Sequence, residues 1–279
     1  MSQQPGVAPL VDLGGGVTMP QLGLGTWPMT DDEATRVVPQ AIDLGYRLID
    51  TAENYGNERG VGRGVRASSV KREEVFITTK FNRQWHSVDG ARAACEASLE
   101  RLGFDYIDLL LVHWPNPDQD RYVEAFQGLV RLLDEGLVRA IGTSNFKPAH
   151  LQRLFDRGLC PQLNQIQLDP YHRRDDLVAI HRARGIVTES WRPLGMGRQM
   201  LEDPSVVRIA QAQQRTPAQV LLRWQVQQGF VTCPKSSNPL RQAQNLAIFD
   251  FALDDDEMRA LDALDRPDPE MFDADEFGH

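Results

Sequence analysis

The stretch IDLLLVH, Ile107–His113, decides how the rest of the chain is read. Apart from Asp108 and the closing histidine it is continuously apolar, whereas a strand with one wet face alternates. VFITTK, Val75–Lys80, has the same character and again stops on a polar residue. Working outward, further β-rich runs lie at Gln21–Gly25, Arg47–Thr51, Ala140–Ser144, Leu163–Leu168, Ile186–Ser190 and Phe230–Pro234. Amphipathic segments such as Asp89–Leu102, Tyr122–Glu135 and Asp175–Arg184 fall between them, followed by the helix-ending glycines Gly103, Gly136 and Gly185. Eight strand–helix units of this kind predict an α/β fold, a parallel (β/α)₈ TIM barrel.

No linker rich in Gly, Ser or Pro divides the chain, so residues 1–279 are expected to form a single domain. VDLGGGVTMP, Val11–Pro20, reads as an N-terminal β-hairpin plugging the barrel bottom, with Gly14–Gly16 at its turn. Asp254–Leu264 reads as an extra C-terminal helix, followed by an acidic tail carrying Met271, Phe272 and Phe277. Pro39 falls inside the first helical segment, Asp31–Leu44, where it is expected to kink or split the helix.

Composition excludes several functions. The net charge of −9 and pI near 5.2 argue against nucleic-acid binding, which usually needs a basic face. The longest apolar stretch, near Ile107–Val112, is far too short to span a bilayer, and MSQQPGVAPLVDL shows no signal peptide. Cys95, Cys160 and Cys233 are scattered, which suits a reducing, cytoplasmic setting. The six histidines form no HxH or HExxH pattern, so no metal site is expected. Gly60, Gly62 and Gly64 imitate part of a dinucleotide fingerprint but lie within a helical run, where close helix packing explains them better.

In a parallel barrel, catalytic groups stand at the C-terminal strand ends. The second run ends near Asp50 with Tyr55 just beyond, the third in Lys80 and the fourth in His113. Singly, each has an ordinary explanation: a loop cap, a solvent-reaching lysine, a satisfied core histidine. Adjacent strand ends bring them to one pocket, and together they suit carbonyl chemistry. A tyrosine hydroxyl is a poor acid, with an unperturbed pKa near ~10, and a neighbouring ammonium lowers that value. A carboxylate keeps the ammonium charged, and the histidine can donate a hydrogen bond to a carbonyl oxygen. The set contains no nucleophile–base pair, so the hydride must come from a cofactor.

GYRLIDTAENYGNERGVG (Gly45–Gly62) resembles the first signature of the aldo-keto reductase superfamily. FITTK (Phe76–Lys80), DLLLVHWP (Asp108–Pro115), IGTSNF (Ile141–Phe146), NQIQLDPY (Asn164–Tyr171) and PKSSNPLRQAQN (Pro234–Asn245) match its other blocks in order, and the chain looks closest to bacterial 2,5-diketo-D-gluconate reductase-like members. The resemblance implies NADPH/NADP⁺ as cofactor, a small-molecule carbonyl substrate, a monomer, and a catalytic tetrad of Asp50, Tyr55, Lys80 and His113. It implies that Ser144, Asn145 and Gln165 hold the nicotinamide carboxamide, with Thr26, Trp27 and Asp50 also at the cofactor. Trp191 would stack on the nicotinamide, and Pro193, Leu194, Gly195 and Met196 would pass along the pyrophosphate. Lys235, Ser236, Asn238 and Arg241 would meet the adenosine 2′-phosphate, with Gln244 and Asn245 near the adenine. The substrate pocket is expected to involve Trp27, Tyr55, Phe81, Trp85, His113 and Trp114.

Gln167, Asp169, Arg192 and Asn238 depart from residues common in the family. They bear on cofactor affinity and leave the tetrad intact. The leading reading is NADPH-dependent reduction of an aldehyde, ketone, ketosugar or ketoacid with Tyr55 as general acid. The alternative is a cofactor-binding redox sensor or regulatory subunit of the same fold; a metal-dependent hydrolase using Asp50 and His113 is a third.

Overall fold

The computed structural model describes residues 8–266 and 272–278, so Met271 lies outside the described residues. Ten strands are present among the described residues: β1 (Leu10–Asp12), β2 (Thr18–Pro20), β3 (Leu24–Gly25), β4 (Leu48–Asp50), β5 (Phe76–Phe81), β6 (Ile107–Val112), β7 (Val138–Ser144), β8 (Leu163–Gln167), β9 (Val187–Trp191) and β10 (Val231–Thr232). Strands β3 to β10 pair in chain order, each parallel to the next. The sheet closes on itself through the Leu22–Thr232 bridge, where Gly23 N–H donates to Thr232 O at 2.9 Å and Thr232 N–H to Gln21 O at 3.0 Å. At this seam a Cβ on Gly25 would stand 2.6 Å from the Cys233 carbonyl oxygen, so glycine permits the closure. The result is a (β/α)₈ barrel.

Alternation along each strand sorts the core into two layers. Leu109 and Leu111 of β6 pack inside the barrel with Leu48, Phe76, Ala140, Leu163 and Val231. Leu110 and Val112 point the other way, into the larger layer beneath the helices. That double coverage is why IDLLLVH carries no polar alternation. β1 and β2 form the antiparallel hairpin expected at Val11–Pro20, and its Leu13, Val17 and Met19 join the inner layer as the bottom plug.

Asp108 is the charged exception in β6, and it is met at the barrel bottom. Its Oδ2 accepts from Arg72 at 2.7 Å and from Ile77 N–H at 3.0 Å, while Oδ1 accepts from Arg139 at 2.7 Å. A buried carboxylate is tolerable on these terms, because both oxygens accept charged hydrogen bonds and two guanidiniums balance the charge.

The helix Asp31–Leu44 runs unbroken through Pro39, which corrects the expectation that the proline would split it. Thr30 caps it by accepting from Glu33 N–H, and Gly45 ends it in the left-handed region at φ 118°. Gly64 of the helix Glu58–Ala67 lets that helix pack closely against this one; a Cβ there would come within 3.1 Å of Pro39 Cδ and 2.8 Å of Val38 Cβ. Gly60 and Gly62 are equally close to backbone, where a Cβ would meet Asp31 O at 2.0 Å and Leu102 O at 1.8 Å. These three glycines are helix-packing residues. Further on, the helices Val88–Leu102, Tyr122–Asp134 and Asp175–Arg184 follow the expected pattern to within a residue. The expected terminal helix is Asp255–Asp262, capped by Asp254.

Candidate active site

Strand register decides which side chains meet above the inner apolar layer. Gly25, Asp50 and Thr78 lie side by side across β3, β4 and β5, and Lys80 stands two residues further along β5, facing the same way as Thr78. Lys80 is wholly buried and Asp50 nearly so. The ammonium Nζ donates to Asp50 Oδ1 at 2.9 Å, to Asp50 Oδ2 at 2.8 Å and to Thr51 O at 2.9 Å. Tyr55 comes from the turn Glu53–Tyr55 just after β4 and places its ring 5.1 Å from Lys80 Nζ and 5.9 Å from the His113 ring. The structure therefore brings all four tetrad candidates together.

Burial strips charge from isolated groups, and here pairing competes with it. For Lys80, burial works to remove the proton, but Asp50 and then Tyr55 outweigh it and hold the ammonium above its ordinary value. For Tyr55, burial pushes the phenol above 10.0; the Lys80 charge pulls it down, and Asp50 pushes it back up. The downward pull of Lys80 expected from sequence is present, but burial is the larger influence. Without a bound partner Tyr55 is thus held as a protonated donor.

His113 Nδ1 lies 3.1 Å from Oδ1 of the buried Asn82, which fixes the ring plane. With Nδ1–H given to Asn82, donation to a carbonyl oxygen through the other nitrogen requires an imidazolium, or the Asn82 amide turned so that its NH₂ faces the ring. Asn82 was not anticipated from sequence, although it stands two residues past Lys80 on the same strand-end parity.

A cavity of about 590 Å³ opens over this cluster. Thr26, Trp27, Asp50, Tyr55, His113 and Trp114 line it on one side. Ser144, Asn145, Gln165, Trp191, Pro193 and Lys235 line it on the other. Asn145, in the left-handed region at φ 65°, donates from Nδ2 to His113 O and Ser144 Oγ, both at 3.0 Å. Its Oδ1 accepts from Trp191 Nε1 at 2.8 Å, which orients the indole. Gln165 Nε2 donates to Asp50 Oδ2 at 2.9 Å.

Two expected pocket residues stand elsewhere. Phe81 is fully buried in the outer layer with its ring edge-on to His86 at 6.2 Å, because the residue after an inward Lys80 must face outward. Trp85 is partly buried against that layer and donates from Nε1 to Glu53 Oε1 at 2.8 Å, away from the cavity lining. Leu194, Gly195 and Met196 lie beyond the cavity wall, with Gly195 N–H closing a turn onto Arg192 O at 2.9 Å. Ser236, Asn238, Arg241, Gln244 and Asn245 sit in or just before the helix Pro239–Leu246, outside the cavity proper. Asn238 is that helix's N-cap: its Oδ1 accepts from Leu240 N–H at 2.9 Å and Arg241 N–H at 3.2 Å. Asp169, another departure, accepts from Tyr171 N–H at 2.8 Å and pairs with His172 at 3.0 Å, shaping a turn.

The tail supplies what the sequence did not reveal. Phe272 and Phe277 line the cavity, 4.8 Å apart, and Phe277 packs edge-on to Trp114 at 4.8 Å. Arg192, at φ 53°, spreads its guanidinium over Trp191 at 5.4 Å and Phe272 at 5.1 Å, and Gln167 Oε1 accepts from Phe272 N–H at 3.4 Å. Asp273 and Asp275 pair with Lys147, and Asp275 also accepts from His150 Nε2 at 2.9 Å. Lys147 N–H donates to His150 Nδ1 at 3.1 Å, so a neutral His150 satisfies both contacts. Burial keeps His150 below its ordinary value, consistent with that neutral ring.

Comparison with known proteins bears on this geometry. Residues 19–266 match the model of the Aldo/keto reductase family. An aldo-keto reductase of Mycobacterium sp. strain MCS is 46% identical over 270 residues, 95% of each chain. Methylglyoxal reductase DkgA of Yersinia pestis is 44% identical, over 96% of this chain and 98% of its own. Among solved structures, a variant of Gox0644 in complex with NADPH superposes with a TM-score of 0.92 at 42% identity, covering 96% of this chain and 98% of that one.

Proposed function

The chain belongs to the aldo/keto reductase family, and from that footing we propose that it uses NADPH to reduce an aldehyde or ketone to an alcohol, with Tyr55 as the proton donor. The observation that carries this reading is the placement of Tyr55 at the cavity wall directly over the Lys80–Asp50 pair. NADPH, when bound, supplies the hydride to the carbonyl carbon. The remaining work falls to side chains. Tyr55 gives its proton to the oxygen that becomes the alcohol, and Lys80 stabilises the phenolate left behind. Asp50 and the Thr51 carbonyl hold Lys80 charged and aimed. His113, braced by Asn82, orients the carbonyl oxygen. Trp27, Trp114, Phe272 and Phe277 wall the cavity and exclude water.

The donor set fits the cofactor. Trp191 offers a flat face in the cavity wall, held by Asn145. Ser144 and Gln165 border the same region, where a carboxamide needs polar partners. Since Asn238 already uses the amides of Leu240 and Arg241, the Lys235 and Arg241 side chains would be the ones to hold the 2′-phosphate. Lys235 also lies 3.6 Å from Glu33, a contact that a phosphate would compete with.

An aromatic cavity of this size suits a compact carbonyl compound, including ketosugars and ketoacids. Cys95, Cys160 and Cys233 are free thiols, which fits a cytoplasmic protein, and we take it to act as a monomer. No helix among the described residues is long and apolar enough to cross a membrane. The test is a panel of aldehydes, ketoesters and ketosugars followed by NADPH absorbance. Turnover of several members is expected, and none across the panel by NADPH-loaded protein would overturn the reading in favour of a binding protein.

A further inference from the structure

A second carboxyl lies in the barrel interior beneath the tetrad, unused by the reaction as described. Glu189 of β9 is paired in register with Gln165 of β8, whose amide holds Asp50. It is fully buried. Its Oε1 accepts from Cys233 Sγ at 3.1 Å, and its Oε2 has no hydrogen-bond partner among the described residues. Cys233 itself borders the cavity floor. The polar layer between the apolar plug and the cavity thus contains two carboxyl groups, Asp50 and Glu189, and a single ammonium, Lys80.

Lys80 is committed to Asp50 and Thr51 O, so Glu189 has no cation of its own. An ionised carboxylate in that position is expensive and a neutral carboxyl is not. We propose that Glu189 is a positioning residue for the proton transfer: its charge, present or absent in the layer beneath Tyr55, sets the pH at which the tyrosine exchanges its proton. The proposal rests on the reading of Tyr55 as proton donor.

The titratable groups around Glu189 are Asp50 on β4, Lys80 on β5, Tyr55 after β4 and Cys233 after β10. Burial first, and then the Asp50 charge, push Glu189 up from 4.5 to about 7, against the pull of Cys233, Lys80 and the Gln165 amide. Below that pH the layer is electrically balanced; above it, the layer carries one extra negative charge. That charge opposes phenolate formation, and Glu189 indeed acts to raise Tyr55. Reduction needs Tyr55 protonated. Alcohol oxidation needs it deprotonated, to take the hydroxyl proton as the hydride passes to NADP⁺. An ionised Glu189 therefore favours the reductive direction to higher pH.

The experiment compares wild type, Glu189→Gln and Tyr55→Phe, all with cofactor bound. Glu189→Gln should move the fall of kcat for reduction at high pH, and the rise of kcat for alcohol oxidation with pH, to lower pH by about one unit. NADPH affinity should stay within about twofold, since the glutamine is isosteric and does not touch the cofactor. Infrared difference spectra of wild type should show a protonated carboxyl band that titrates near neutral pH and is missing in Glu189→Gln. Cys233→Ala, which removes the thiol donor, should shift that titration upward and carries the test alone should Glu189→Gln not fold. Superimposable pH profiles, or no carboxyl titrating between about pH 5 and 9, would overturn the proposal. A Tyr55→Phe protein that keeps the wild-type profile would instead overturn the proton-donor reading beneath it.

Discussion

The barrel buries carboxylates at both ends, and the two ends balance them differently. At the bottom, Asp108 faces two guanidiniums, Arg72 and Arg139, plus a backbone amide, so positive charge is in excess and every acceptor is satisfied. At the top, Asp50 and Glu189 share one ammonium, and a carboxyl oxygen of Glu189 is left without a partner. The bottom arrangement can only hold. The top cluster can exchange a proton, because burial and the Asp50 charge bring the Glu189 carboxyl to about 7. The difference separates a structural site from a chemical one within one fold.

Substituting across the two ends should separate activity from stability. Lys80→Met removes the ammonium and fills its volume with an apolar chain. kcat for reduction per folded molecule should fall by at least about a hundredfold, the scale of lost acid–base catalysis, and Tm should fall too, because Asp50 is left buried without its counter-charge. A kcat per folded molecule within about tenfold of wild type would mean that the top pair is structural only.

Asp108→Asn should lower stability alone. Breaking a buried pair costs about 3 kcal/mol, which lowers Tm by roughly 5–10 °C for a chain of this size, while kcat per folded molecule stays as in wild type. Scanning calorimetry beside steady-state kinetics checks it; unchanged Tm would remove the holding role.

Arg241→Ala should weaken NADPH binding about tenfold to a hundredfold and leave NADH nearly untouched, by loss of a charged hydrogen bond worth roughly 1.5–3 kcal/mol. Titration with both cofactors reads this directly. Equal loss for both would place the phosphate elsewhere.

The smallest effect concerns stability and pH. Glu189 holds its proton up to about 7 in the folded chain, whereas in the unfolded chain it ionises near 4.5. Between those values the unfolded state has fewer protons, so this group makes stability fall as pH rises, with the decline levelling off above about 7. From pH 6 to 8 its contribution is on the order of 1 kcal/mol. Denaturation midpoints of wild type and Glu189→Gln should diverge in that direction, and parallel curves would argue against a protonated Glu189.

The parts of the fold written in local pattern were legible in the sequence. The continuous apolar runs placed β5 and β6 to within a residue, and the strand-end rule brought Asp50, Tyr55, Lys80 and His113 together. Errors came where parity was not applied: once Lys80 faces inward, Phe81 must face the helices, and the same count along IVTESW puts Glu189 inside. The helix runs unbroken through Pro39, and the close packing of Gly64 on Val38 and Pro39 was not legible because another helix makes that contact. The tail was the least legible part. Phe272 and Phe277 have no periodicity, and their place over the cavity depends on Lys147 and His150, more than a hundred residues away.

The central claim is that the proton of the reaction resides on Tyr55. Single-turnover reduction by Tyr55→Phe, with NADPH affinity measured on the same preparation, tests it most directly. The account predicts a rate lower by about a hundredfold or more with NADPH affinity essentially unchanged. Near wild-type turnover in that variant would contradict it.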